Sequence, residues 1–113
     1  VKGLIVRSPW IERILSGQKT WEIRGTHTKI RGPIALIKSG SGMVYGEIQI
    51  TGSKELTLED YQSSQEYHTI DQAHTRELPY KKTYAWMMEK PELYEEPIPY
   101  EHPKGAVIWV NLT

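Results

Sequence analysis

Apolar and polar residues follow two different periods along this chain, and each change of period marks a change of element. Residues 3–7 form a short apolar run rich in branched side chains, which predicts a strand. Ser8 followed by Pro9 supplies an N-cap and a first helical position, so the strand hands over to a helix there. Trp10, Ile11, Ile14 and Leu15 make one stripe at helical spacing with Glu12 and Arg13 off it, and Gly17 suits the left-handed position that follows a helix ending at about Ser16. Residues 20–24 alternate instead, with Trp21 and Ile23 on one face and Thr20, Glu22 and Arg24 on the other. That pattern predicts a half-buried strand, closed by Gly25.

Residues 33–38 and 43–51 read as a hairpin around Gly40-Ser41-Gly42, with Val44, Ile48 and Ile50 sharing a face with Gly46. A glycine inside a strand marks a bulge or a close approach to its backbone. Residues 55–82 are acidic, polar and weakly periodic; they predict a helical excursion, with Thr57 capping one short helix and Thr69 capping a second that ends before Pro79. Residues 83–88 and 106–112 return to strand patterning. Between them lies a proline-punctuated linker whose Leu93, Tyr94, Ile98 and Tyr100 are expected to bury themselves. Five or six short strands, one firm helix and a helical insertion predict an α+β fold in which a small mixed sheet curls towards a barrel, because open edges in so small a sheet are a liability.

A chain of 113 residues can bury one modest core, so a single domain over residues 1–113 is expected. With 38% hydrophobic and 25% charged residues it is neither disordered nor fibrous, and in the absence of Phe the four Trp and seven Tyr supply the aromatic bulk. The lack of cysteine excludes disulfides, thiolate nucleophiles and cysteine-based zinc sites, and suits an intracellular setting. No leader and no membrane-length apolar run is visible, so the expected compartment is the cytoplasm, without a membrane partner. Zero formal charge argues against coating long nucleic acid with a general basic surface. The charges are unevenly spread, however: residues 1–54 carry nine Lys or Arg against three Glu, and residues 55–113 carry five against eleven acidic residues. If the basic half forms one face it attracts a phosphate or a short RNA segment; if the charges interleave in space, they cancel.

Residues 17–24 are the densest cluster of chemically able side chains. On a strand Glu22 and Arg24 point the same way, about 7 Å apart along the chain, and Lys19 enters from the turn before them. Such a trio can hold a base edge through the carboxylate and a phosphate through the arginine, or shuttle protons if Lys19 is partly desolvated. Spacing alone favours the plainer alternative, a surface salt-bridge ladder. Trp10, Trp21, Tyr84 and Trp86 are candidates for stacking on a base. Of these Trp21, with Trp109, is assigned to the core, and Trp10 and Trp86 to a cleft. Ser8, Lys38 and Ser39 lie at strand ends near the same mouth, where they contact sugar or phosphate or else serve as cap and turn residues. His68 and His74 are six residues apart, which fits no regular metal-ligand geometry, so no metal is expected. The Gly40 turn lacks the Gly-Lys-Ser/Thr continuation of a phosphate loop, and no cofactor is expected.

The run Gly17, Lys19, Glu22, Arg24 matches a Gly-x-Lys-x-x-Glu-x-Arg signature placed after a strand and an apolar helix, and Tyr84-Ala85-Trp86 and residues 105–112 are similar to the closing strands of the same family. In these respects the chain resembles the ASCH family of PUA-like folds. The resemblance implies a PUA-like β-barrel of five or six strands with flanking helices, a cleft between them beside residues 17–24, and binding of RNA or a modified nucleoside. Some ASCH proteins are amidohydrolases that remove the acetyl group from 4-acetylcytidine with a Lys in this motif, a Thr three residues later and a Glu further along; others are ribonucleases or RNA-binding modules. Lys19 matches the first of these roles and Glu66 the third, whereas Glu22 stands where the Thr would be. If hydrolysis occurs, the expectation is that Glu22 or Glu66 activates water while Lys19 steadies the oxyanion or protonates the leaving amine.

Overall fold

A computed structural model describes residues 1–112. Its strands are β1 (Lys2–Val6), β2 (Trp21–Arg24), β3 (Gly32–Lys38), β4 (Met43–Leu56), β5 (Thr83–Pro99) and β6 (Trp109–Asn111), and its helices are α1 (Trp10–Leu15), α2 (Leu58–Ser63) and α3 (Gln65–His68). The six strands form one sheet in the order β2-β5-β4-β3-β1-β6. Among the described residues only the β1–β3 pair is parallel; the other pairings are antiparallel.

One face of the sheet is covered by α1. Ile11, Ile14 and Leu15 pack there on Leu4, Val6, Ile34, Leu36, Ile48, Ile50, Tyr84, Trp86 and Met88. Six residues cannot hold a helix alone in water, so this burial, roughly 1.5–3 kcal/mol for each large aliphatic side chain, is what keeps α1 folded. Its start differs from expectation: Ser8 donates to the Glu12 carboxylate at 2.8 Å instead of capping the backbone. Gly17 does take the left-handed conformation after the helix, at φ 86.

The expected hairpin forms as β3 and β4, but β4 continues beyond it and pairs with a strand β5 that is longer than its pattern predicted. β4 runs to Leu56 and β5 to Pro99, so the expected linker is the second half of a strand, and its Leu93 and Ile98 are exposed rather than buried. Register shifts between Val44 and Gly46, Glu47 and Gln49, and Ile50 and Gly52 bend this ribbon. They also explain why Val44 leaves the face shared by Ile48 and Ile50 and packs instead with Ala35, Ile37 and Val110. Gly46 sits at the first shift, where a Cβ would lie 2.3 Å from the Glu92 carbonyl oxygen and 2.6 Å from Leu15 Cδ2.

In the excursion, Thr57 and Asp60 form a reciprocal capping box at the start of α2. Thr69 does not begin a second helix; it ends α3, with φ 62. Tyr61 of α2 then seals a second small core over Ile23, Leu56 and Ala85. Ile23 therefore packs on the insertion while its neighbour Glu22 is buried on the opposite face, so β2 is covered on both sides rather than half-buried.

The sheet curls without closing. Trp86 of β5 stacks on Trp109 of β6, with ring centroids 5.8 Å apart, although β4, β3 and β1 lie between those strands in the sheet. Arg24 on edge strand β2 donates to the Ile5 carbonyl of β1 at 3.0 Å. Strands β2 and β1 thus approach across a seam bridged by a side chain and not by a backbone ladder. The expected barrel is accordingly an open, strongly curled sheet.

Candidate functional site

The seam opens into a candidate site. A cleft of about 670 Å³ opens between β1 and β2, walled on one side by Tyr61, Ile70 and Tyr80 of the insertion and on the other by the segment from Tyr100 to Val107 before β6. Its volume falls in the range of small-molecule sites. Arg7, Lys19 and Arg24 set three cations around one carboxylate, Glu22, so the cleft favours an anionic or strongly polar ligand.

The sharp turn at Gly17 folds Lys19 back under the helix, where only 2% of the residue is exposed. Its Nζ donates to the carbonyls of Trp21 at 2.6 Å and His68 at 2.8 Å and lies 3.7 Å from Glu22 Oε1. Trp10 lies against the same ammonium, 5.0 Å from ring centroid to Nζ. Burial pulls the Lys19 pKa down to about 8, although the Glu22 carboxylate opposes the shift. At pH 7 about a tenth of a group with that pKa is neutral. The ammonium is thus the resting form, with the neutral amine within easy reach.

Glu22 is buried and its two oxygens are unlike. Oε2 accepts from Arg24 Nε at 3.0 Å and from Nη2 at 2.8 Å. Oε1 accepts no hydrogen bond from the protein, and no buried side-chain oxygen or nitrogen among the described residues is left without a partner. Oε1 is therefore the oxygen that keeps contact with the cleft. The side chains converge as the spacing allowed, but as a buried cluster and not a surface ladder. Arg24 is fixed from three sides: by Glu22, by the Ile5 carbonyl, and by the face of Trp86, whose centroid is 5.6 Å from the guanidinium carbon.

A family model, the ASCH domain, matches residues 4–104. The chain belongs to the ASCH domain family. Its fold is that of the crystal structure of ASCH from Zymomonas mobilis, at a TM-score of 0.76 and 14% identity over 99% of this chain and 87% of that one. A tyrosine-to-phenylalanine variant of the Zymomonas mobilis protein superposes equally well, with 89% of that chain covered. A serine-to-alanine variant gives a TM-score of 0.72. A search of curated protein sequences finds no match. Identity this low speaks for the ASCH fold and leaves the chemistry to this chain's own residues.

Of the residues singled out from the sequence, Lys19, Glu22, Arg24, Trp10 and Ser39 line this cleft. The others do not. Glu66 is exposed on α3, and it is its neighbours' main chain that reaches the site: the Tyr67 carbonyl accepts from Thr20 N–H and the His68 carbonyl from Lys19. Trp86 is 2% exposed and donates through Nε1 to the Thr26 carbonyl, so it is a floor under Arg24 and not a stacking face. Trp21 and Trp109, assigned to the core, are both only partly buried, and Trp21 stacks on Tyr67 at 4.9 Å. Lys38 pairs with Glu12 at 3.3 Å and Ser8 bonds the same carboxylate, which occupies both outside the cleft.

Sequence reasoning passed over Tyr61, Tyr80, Tyr100, His102 and Arg7, all of which line the cleft. The aromatic members sit in the two segments without strong periodicity, where no face can be assigned from pattern alone. Among the described residues no three of His, Cys, Asp or Glu gather as a metal site would need, and no helix is long and apolar enough to cross a membrane.

Proposed function

We propose that the cleft binds a nucleoside unit, either free or at an accessible position in RNA, and reads its base through Glu22. The observation that carries this reading is the divided carboxylate: Arg24 holds Oε2 through two hydrogen bonds, whereas Oε1 accepts none from the protein and has only the Lys19 ammonium, 3.7 Å away, beside it. Amino and imino groups on base edges are the matching donors. Trp10 and Tyr80 supply flat surface at the cleft wall, and Arg7 supplies a cation suited to a phosphate.

Binding of cytidine, 4-acetylcytidine, cytidine monophosphate and a short single-stranded RNA, measured by calorimetry, tests the reading. A hydrogen bond to a charged acceptor contributes about 1.5–3 kcal/mol, so Glu22→Gln should weaken the best ligand roughly 10- to 100-fold. Absence of binding to any of the four in a folded protein, or full affinity in the variant, would falsify it. Salt separates the modes: extended RNA contacts weaken steeply as salt rises, a single-nucleoside pocket hardly at all.

A second reading, hydrolysis of an acylated nucleoside, is favoured by the proximity of a Lys with a pKa of about 8 to a carboxylate oxygen that accepts no hydrogen bond from the protein. In that version Glu22 Oε1 activates water and the Lys19 ammonium steadies the developing oxyanion. Release of cytidine from 4-acetylcytidine by the wild type, and none by Lys19→Ala, is the supporting result.

A further inference from the structure

The charged floor of the cleft is held by a side chain that takes no part in lining it. His68 is wholly buried. Its Nε2 lies 2.6 Å from the Tyr61 carbonyl and its Nδ1 accepts from the Ile70 N–H at 2.9 Å. A carbonyl on one nitrogen and an N–H on the other leave room for one form only, the neutral ring protonated at Nε2. Burial keeps the ring neutral, the nearby Lys19 charge adds to that effect, and the Tyr61 carbonyl pulls the other way. The ring also packs against Tyr61, with centroids 5.0 Å apart.

Tyr61 and Ile70, the two residues tied by the ring, both line the cleft, and the main chain of His68 itself accepts from Lys19 Nζ. One residue on, the Thr69 carbonyl and hydroxyl accept from Arg13 of α1 at 3.0 and 3.3 Å, which fastens the same turn to the helix above. We propose that His68 is a positioning residue for this site: by joining Tyr61 to Ile70 it fixes the turn whose carbonyl holds Lys19 and whose chain excludes water from the ammonium. The inference rests on the cleft being the ligand site for its effect on affinity, but its effect on Lys19 can be read without any ligand.

The test is a titration of Lys19 in lysine-labelled protein, followed by its side-chain carbon and nitrogen resonances, in the wild type, His68→Leu and His68→Asn. Leu removes both ring contacts; Asn keeps an acceptor near the Ile70 N–H and loses the donor to Tyr61. As burial is the largest cause of the low Lys19 value, water admitted by a loosened turn should raise it from about 8 towards 10.5, by about one pH unit or more in the Leu variant and less in the Asn variant. Ile37→Val, a core truncation away from the cleft, should lower the melting temperature and leave Lys19 unmoved. An unchanged or lowered Lys19 value in a folded His68 variant overturns the proposal, and if the Leu variant does not fold, the Asn variant decides. Ligand affinity falling in step with the Lys19 shift extends the role to binding. A shifted Lys19 in a protein that binds none of the nucleosides keeps His68 as the positioning residue and removes the ligand reading alone.

Discussion

Lys19 should make this protein more stable as the pH rises through mildly alkaline values. Folding moves its pKa from 10.5 to about 8, chiefly through burial. Below pH 8 the ammonium is protonated in both folded and unfolded chains, and the full penalty of burying it is present. Between pH 8 and 10.5 the folded protein has released a proton that the unfolded chain still holds, so stability rises with pH by up to about 1.4 kcal/mol per unit. The whole step is about 3 kcal/mol. Its upper part is masked, because Tyr61, Tyr94 and Tyr100 all have raised pKa values and destabilise the fold once the unfolded phenols ionise near pH 10. The clean window is pH 8 to 9.5, with an expected gain of about 1.5 kcal/mol. Urea unfolding at constant ionic strength, in half-unit steps from pH 7, should show this rise in the wild type and not in Lys19→Met. That variant is itself weakened by leaving the Trp21 and His68 carbonyls unpaired, so the comparison concerns slopes and not absolute values. Parallel curves for the two proteins would show that Lys19 titrates as an ordinary surface lysine, and the account of a desolvated ammonium would fail.

Two further substitutions probe the frame around the site. Arg24→Lys keeps the charge but cannot reach both Glu22 Oε2 and the Ile5 carbonyl across the seam, so urea unfolding should show a loss of about 2 kcal/mol and nucleoside affinity should fall with it; unchanged values would mean that the seam is held by other contacts. Gly46→Ala puts a methyl group 2.3 Å from a backbone oxygen that cannot swing aside, at the bend that lets the hairpin curl. A loss of about 1–3 kcal/mol in thermal or urea unfolding is expected, whereas a neutral result would mean that the ribbon bends freely there.

Where local pattern and tertiary packing agree, the fold was legible. The stripe in α1, the alternation in β2 and the Thr57 cap each satisfy their own backbone and also present the right face to a core, so propensity and burial point the same way. The second half of β5 was not legible, because Pro91, Pro97 and Pro99 argue against a strand in any local window; it pairs with the first half of β4, from Met43 to Glu47, through irregular register that no window reveals. The α+β reading held, but the word barrel is loose for a related reason. Closure depends on whether edge strand β2 meets the far end of the sheet in register, and here a side chain, Arg24, spans from β2 to the Ile5 carbonyl of β1.

The site divides along the same line. Lys19, Glu22 and Arg24 lie within six residues on one turn and strand, so their convergence follows from strand geometry and could be read in advance. Whether they form a surface ladder or a buried charged floor depends on the insertion, which packs Tyr61, His68 and Ile70 around them from about fifty residues away in sequence. The insertion changes the chemistry as well as the packing. An exposed Lys-Glu-Arg ladder contributes almost nothing and binds nothing in particular. The same three groups, largely shielded from water, acquire a lysine pulled down to about 8 and a carboxylate with one oxygen hydrogen-bonded to Arg24 and the other beside the Lys19 ammonium. The motif therefore supplies the charged groups, and the weakly patterned segment supplies the low dielectric around them. For that reason a Lys-x-x-Glu-x-Arg match alone says little about activity: a chain with the motif but without a buried residue doing the work of His68 should present the same charges as an ordinary solvated surface.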